Sequence, residues 1–387
     1  MIRGGGGNLT ARRLQWAPVP IALRSRMAAA DDPALDVLML PFASGVLAWP
    51  TAGGALFLRA RDGWPLRAVA RAGLVCEQSF RPQADALARS GWTVREAAAD
   101  DVATDDVAAF PLVLALPPRQ REEARALLAR AVRACAPGGT VAVCATNDEG
   151  AKSLEGDLKR LAGLGGMLSK HHCRVAWSRI DADTVDVSLL DAWSALDAPR
   201  AIADGRFVSR PGVFAWDRID AASALLAAHL PGELAGRAAD LGCGYGYLSA
   251  ELLARCPGIV SLDLYDAEAR ALDLARRNLA RCNPAGSNPA GARVPLAFHW
   301  HDVTAGLPAR YDVIVANPPF HAQGRADRPD IGRAFIAAAA DALDPGGRLW
   351  LVANRHLPYE AVLDARFAEV RTVAQAQGFK VIAATRR

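Results

Sequence analysis

Residues 110–118, FPLVLALPP, and residues 311–319, YDVIVANPP, repeat one pattern: an aromatic start, a run of apolar residues, then two prolines. A second pair follows in the same order, APGGTVAVCATN at 136–147 and DPGGRLWLVANR at 344–355. The first blocks are offset by 201 residues and the second by 208, so the halves differ by only seven residues across this span. Those seven fall just after the second double proline, in HAQGRAD. Two copies of one strand–helix skeleton confine the chain to a tandem arrangement. Strands alternate with helices in both halves, which implies α/β layers around parallel sheets. The expected division is an N-terminal arm over 1–30, a first domain over 31–200 and a second over 201–387. At 387 residues, two domains are the ordinary expectation.

The alternation is clearest in the second half. Spacing predicts a short strand at 238–241, a glycine-rich turn, and a helix over YLSAELLAR. IVSLDLYD reads as the next strand and AEARALDLARRNLAR as an amphipathic helix. NPAGSNPAGARVP is loop by composition. PLAFHWHD and YDVIVAN follow as strands, RAFIAAAADALD as a helix and GGRLWLVAN as a strand. The tail reads as two strands joined around Gln377 and Gly378. The copies differ in their polar groups. Leu116 stands where Asn317 stands, Arg119 replaces Phe320, and no G-x-G-x-G precedes the first copy at the required distance. The first domain is therefore expected to be degenerate, keeping the skeleton without the chemistry.

Composition narrows the setting. Half of the residues are hydrophobic (51%), yet no apolar run reaches the ~20 residues of a membrane-spanning helix. Seven cysteines without a C-x-x-C spacing suit a reducing cytoplasm rather than a disulfide framework. His171-His172-Cys173 and His299-Trp300-His301 have no spaced partner cluster, so no metal is expected. A net charge of +4 permits a polyanionic partner without requiring one. The first thirty residues carry five arginines, a Gly4 run and no acid. They read as a disordered arm, or as an early start with Met27 the true beginning.

The second half carries a constellation with chemical meaning. DLGCGYG at 240–246 joins a strand to a helix, and Gly242, Gly244 and Gly246 let the backbone approach a ligand with no Cβ in the way. The free N–H groups of the helix N-terminus lie behind them. Tyr247 replaces the glycine that a nicotinamide fingerprint needs. Asp240, two residues before the first glycine, suits a cationic amino-acid ligand better than a pyrophosphate. Asp266 ends the second strand, where a carboxylate accepts from both hydroxyls of a ribose, with Asp263 the competitor for that role. Asp302 ends the third strand, in reach of an adenine amino group. Together they describe a pocket for S-adenosylmethionine.

Asn317 ends the fourth strand on the same carboxyl edge, and Pro318 and Pro319 after it fix the backbone. Its side-chain oxygen and the Pro318 carbonyl are two acceptors that grip the N–H bonds of an exocyclic amine and orient its lone pair. Phe320 offers a flat face for a base. Arg325, Arg328 and Arg333 follow, either as phosphate contacts or as a solvated face.

In that order, DLGCGYG, Asp266, Asp302 and ANPPFH resemble the class I amino-methyltransferases with an N-P-P-F/Y motif. PGVFAWDRIDAASALLAAHL at 211–230, VANRHLPY at 352–359 and GFKV at 378–381 resemble the ribosomal RNA small subunit methyltransferase C family. Residues 205–387 carry this resemblance, and the first half carries it only as a skeleton. The segment from Trp216 through Ile219-Asp220-Ala221-Ala222-Ser223 varies on that family's pattern, and the loop at 283–290 is extra. The resemblance implies two tandem Rossmann-like domains, the first degenerate and aiding RNA binding or stability. It implies methylation of a guanine N2 in 16S rRNA, a role for Lys380, and a cytoplasmic enzyme, here expected to be monomeric. The alternatives are a 23S rRNA guanine-N2, adenine-N6 or glutamine-N5 methyltransferase, or a ribosome-assembly RNA binder without catalysis.

Overall fold

The computed structural model describes residues 32–96, 109–283, 293–319 and 329–387. The arm at 1–30, most of the loop at 283–290, Phe320, Arg325 and Arg328 lie outside the described residues.

Two seven-stranded sheets carry the duplication. The first contains β1 (Ala55–Leu58), β2 (Leu74–Gln78), β3 (Thr93–Glu96), β4 (Phe110–Ala115), β5 (Cys135–Thr146), β6 (Gly166–Lys170) and β7 (Cys173–Arg179). A short hairpin, β8 (Arg200–Ile202) and β9 (Phe207–Ser209), leads to the second sheet. That sheet contains β10 (Ala235–Leu241), β11 (Gly258–Asp266), β12 (Leu296–Trp300), β13 (Tyr311–Ala316), β14 (Leu343–Asn354), β15 (Phe367–Ala376) and β16 (Phe379–Arg386). The strand orders are β3-β2-β1-β4-β5-β7-β6 and β12-β11-β10-β13-β14-β16-β15, the same order twice. In each sheet the first five strands are parallel and the last two antiparallel. The matched sequence blocks fall on β4 with β13 and on β5 with β14, and the last two strands of the chain turn at Gln377 and Gly378, both at positive φ.

Central strands are buried on both faces, so they read as continuous apolar runs rather than alternating ones. In β13, Val313, Ile314, Val315 and Ala316 are all within 2% of full burial. The helix Ala269–Cys282 shows the complementary pattern: Ala271, Leu272, Leu274, Ala275, Asn278 and Leu279 face the sheet while Arg276, Arg277 and Arg281 face outward. Asn278 is the polar exception. It is fully buried, and its amide is satisfied by Val208 N–H at 2.8 Å, the Val208 carbonyl at 2.9 Å and the Tyr245 carbonyl at 2.8 Å.

The two halves meet through equivalent turns. Arg81 N–H donates to the Ala267 carbonyl at 2.7 Å and Ala269 N–H to the Ser79 carbonyl at 2.9 Å. Phe80 and Glu268 thereby form an antiparallel bridge. Trp300 Nε1 lies 2.8 Å from both the Ser79 and Ala267 carbonyls, under the Arg81 guanidinium. Nearby, the buried Glu123 accepts from Arg59 of its own half at 3.0 Å and from Arg270 of the other. Gly212 is needed there, because a Cβ on it would stand 2.0 Å from Glu123 Oε2.

Removing one member of a buried ion cluster leaves the rest uncompensated. Glu123→Ala is expected to lower the unfolding free energy by roughly 3 kcal/mol, measured by denaturant titration at neutral pH. Part of that loss should be recovered when Arg270→Leu is added, because the more deeply buried of the two charges left behind is then gone and only Arg59 remains.

Candidate active site

The topological switch point of the second sheet lies between β10 and β13, where the chain leaves one central strand for each face. Ligand crevices of doubly wound sheets form there, at the carboxyl ends of the strands. The glycine turn follows β10 and Asn317 follows β13, so both arrive at this edge.

The turn is held from beneath. Gly242 N–H and Cys243 N–H both donate to the Tyr265 carbonyl, at 2.8 and 3.0 Å. Gly246 takes φ +89 as the residue before the helix Tyr247–Arg255, and a Cβ there would press on Ala275 at 3.3 Å. Gly244 takes φ +54, and a Cβ on it would meet nothing within 4 Å. The first of these positions needs glycine for packing, and the second leaves bare backbone facing open space. A cavity forms at this point, lined by Gly242, Gly244, Asn317, Asp220, Ser223 and Phe214 among others.

The predicted acids are distributed around this loop in different ways. Asp266, half-buried, accepts from Gly244 N–H and from Glu268 N–H, each at 2.8 Å, and so clamps the glycine turn to the turn after β11. Its backbone carbonyl receives His301 N–H at 3.0 Å, which ties in the next strand's end. Asp240 does not line the cavity. It is fully buried in β10 beneath the turn, where Ser249 Oγ donates to it at 2.7 Å and Oδ1 has no hydrogen-bond partner among the described residues. Asp302 lies two residues past the end of β12 rather than on it. It caps a short 3₁₀ turn, accepting from Thr304 N–H at 2.9 Å and Thr304 Oγ at 2.6 Å. Asp263, the competitor to Asp266, accepts from the Tyr311 hydroxyl at 2.7 Å and stands against His299, inside the sheet and away from the crevice.

Asn317 follows the last residue of β13, and Pro318 behind it is buried while Pro319 is exposed. The Asn317 amide nitrogen donates to Asp220 Oδ2 at 3.0 Å and to Ser223 Oγ at 2.8 Å. Its Oδ1 is buried and has no hydrogen-bond partner among the described residues. Phe214 presents its ring at the cavity with 64% of its surface exposed, an unusual state for a phenyl group. Lys380 is buried on β16, donating to the Leu357 carbonyl at 3.1 Å and to Glu360 at 2.6 Å, so it fixes the loop after β14. Glu360's carboxyl is held below its usual range by that hydrogen bond. Arg333 lies on the exposed face of the helix Pro329–Ala342.

The structure thus brings Gly242, Gly244 and Asn317 to one cavity, with Asp266 reaching it through the Gly244 amide. Sequence reasoning gave no role to Asp220, Ser223, Phe214 and Asn278. Asp220 and Ser223 carry a sequence signal, a D-x-x-S pattern before an apolar run, but it signals a helix start. Burial pushes the Asp240 carboxyl up to about 7, against the lowering effect of Ser249. Burial likewise pushes Asp266 up to about 6, against the amides that hydrogen-bond it. Open backbone at Gly244, a buried unpartnered oxygen on Asn317 and a carboxylate at the end of β11 fit an adenosyl ligand with a cationic centre.

The chain is similar to several known proteins. A family model described as methyltransferase small domain matches residues 204–383. Ribosomal RNA small subunit methyltransferase C of Serratia proteamaculans is 31% identical over 268 residues, covering 69% of this chain and 72% of its own. The protein of the same name from Citrobacter koseri is 32% identical over 277 residues, covering 72% and 76%. Among solved structures, a T. thermophilus 16S rRNA N2 methyltransferase in complex with AdoMet and guanosine superposes with a TM-score of 0.74. It is 25% identical, and the match covers 93% of both chains.

Both raised carboxyls ionise less readily in the folded protein than in the unfolded chain. They therefore oppose folding most above pH 7, and the penalty fades as pH falls through about 7 and about 6 toward the ordinary carboxylate range. Asp240→Asn, which retains an acceptor for Ser249, is expected to stabilise the ligand-free protein by roughly 2–4 kcal/mol at pH 8 and by less at pH 5. Thermal unfolding across that pH range measures the difference.

Proposed function

This chain belongs to the ribosomal RNA small subunit methyltransferase C family, and from that premise we propose that it methylates the exocyclic N2 amine of a guanine in 16S rRNA, using S-adenosylmethionine. The observation that carries the reading is the Asn317 amide. Its nitrogen is engaged on two protein acceptors and its buried oxygen is left over, at the carboxyl edge of β13 beside the glycine turn.

S-adenosylmethionine, when bound, supplies a methyl group already activated on a sulfonium. The protein's task is then placement and charge complementarity rather than strong-base chemistry. The glycine turn approaches the cofactor with bare backbone at Gly244. Asp266 retains lone pairs for ribose hydroxyls while its clamp keeps the turn in place. Asp240 puts a carboxylate beneath the turn, favourable to a cationic ligand when ionised. Asp302, tied to Asp266 through the His301 amide, would accept from the adenine amino group.

The aromatic amine of guanine is a weak nucleophile because its lone pair is delocalised into the ring. Asn317 Oδ1 accepts one of its N–H bonds and the Pro318 carbonyl accepts the other, which turns the lone pair out of conjugation. The two prolines remove backbone freedom from both acceptors. The grip recognises an amine, and the choice of guanine rests on family membership. For the first half we propose a supporting role without cofactor. Leu116 and Gln78 occupy the places of Asn317 and Asp266, so neither the amide nor the ribose carboxylate is present there.

Asn317→Ala is expected to lower the single-turnover rate of methyl transfer to rRNA by about 100-fold or more. S-adenosylmethionine affinity, measured by calorimetry, should change by no more than about twofold, because binding rests on the loop and Asp266. A variant with wild-type turnover would sink this mechanism. Nucleoside mass analysis of rRNA from a strain lacking the gene should show loss of N2-methylguanosine from 16S rRNA; loss from 23S rRNA instead would move the substrate to the other subunit.

A further inference from the structure

We propose that Asp220 and Ser223 are a positioning pair that dictates which end of the Asn317 amide meets the substrate. The inference deepens the reading above and rests on it.

An asparagine side chain has two ends of nearly equal shape and opposite hydrogen-bonding character, and a flip would present donors to an amine that needs an acceptor. The neighbours decide the matter here. Asp220 Oδ2, 3.0 Å away, is a carboxylate oxygen and can only accept when ionised, so the facing atom must be the amide nitrogen. Ser223 Oγ takes the second amide hydrogen at 2.8 Å. Both hydrogens are spent on protein acceptors, and Oδ1 is the end that remains. A flipped amide would set oxygen against carboxylate at hydrogen-bond distance, a repulsive contact in a poorly solvated place.

The pair is rigid for reasons separate from this task. Asp220 is the N-terminal cap of the helix Ala221–Ala228, accepting from Ser223 N–H at 2.8 Å. The helix is anchored by Ala222, Leu226 and Ala227, each within 1% of full burial. Just upstream, the Arg218 carbonyl receives the Tyr245 hydroxyl of the glycine turn at 3.1 Å. Capping alone explains Asp220 and its bond to Ser223 N–H. It does not explain why an amide 97 residues away in sequence spends both its hydrogens on this cap.

The cap and the positioning role separate experimentally. Asp220→Ser keeps a competent capping residue but is too short to reach Asn317. We expect an unchanged unfolding midpoint, an unchanged S-adenosylmethionine KM and a kcat for rRNA methylation lower by about 10- to 100-fold, as for a misplaced catalytic group. The second test exchanges the partners. Asn317→Asp alone sets two carboxylates face to face and should be inactive. Adding Asp220→Asn restores a donor–acceptor pair with the roles reversed and leaves an oxygen free at position 317, so activity should recover by about tenfold or more over the single variant. Wild-type kcat in Asp220→Ser, or no recovery in the folded, cofactor-binding double variant, overturns the positioning role while the methyltransferase reading stands. A wild-type protein that places no methyl group on a guanine N2 overturns the reading itself.

Discussion

The Asp266 carboxylate is the tie on which the second half's crevice depends. One oxygen holds the Gly244 amide and the other holds the Glu268 amide, so a single side chain joins the turn after β10 to the turn after β11. Charge-assisted hydrogen bonds to backbone amides are short and directional. They hold the glycine turn in a conformation that its three left-handed residues would not otherwise keep, since glycine loses the most freedom on ordering. The tie has a cost in that the carboxylate is partly desolvated, which is why it resists ionisation. A cationic ligand repays that cost on binding, so the same burial that weakens the empty fold prepares the site.

The first half shows what remains when the charge is withdrawn. Gln78 ends β2 where Asp266 ends β11, and its side-chain oxygen accepts Phe80 N–H at 2.9 Å, the counterpart of the bond from Glu268. Its amide nitrogen donates to the Ala60 carbonyl at 2.7 Å, toward the segment that replaces the glycine turn. Geometry is kept and charge is lost. A neutral amide braces two turns as well as a carboxylate does, but it offers less to a ribose and nothing to a cation. Leu116, within 1% of full burial, completes the change by placing an apolar side chain where Asn317 stands.

Much of this was legible in the sequence because the legible parts are local. Strand ends at Asp266 and next to Asn317, the glycine turn and the duplicated blocks are all set by patterns within a dozen residues, and β4, β5, β13 and β14 fall where those patterns place them. Asp302 fell two residues beyond its strand because its own side chain caps the following turn, a local competition that apolar patterning does not register. Asp240 looked like a ligand-facing acid, yet strand alternation turns it under the loop. The partners of Asn317 were illegible for a different reason. A cap at residue 220 and an amide at 317 share no pattern, and only the packing of a helix against the sheet's edge makes them neighbours. Phe214 was hidden likewise, since exposure of a phenyl ring is a property of the fold and not of its sequence neighbours.

The way the halves meet bears on why a copy lacking the counterparts of Asp266 and Asn317 persists in the chain. Residues 79–81 and 267–269 occupy the same place in the two copies, immediately after the second strand of each sheet. Their bonds are reciprocal: Arg81 donates to Ala267 as Ala269 donates to Ser79. A two-fold axis exchanges such segments, and a contact of this kind uses one patch twice, as in symmetric dimers. Trp300 Nε1 then bridges the Ser79 and Ala267 carbonyls, one from each copy. The turn that follows Asp266 is therefore braced on one side by its own carboxylate and on the other by the equivalent turn of the first half. Loss of cofactor groups from the first copy leaves that brace untouched, because the brace is backbone. Loss of the first copy as a whole would expose the Ala267 carbonyl and the Ala269 amide beside the Asp266 carboxylate, and the clamp would have to hold its turn without a buttress.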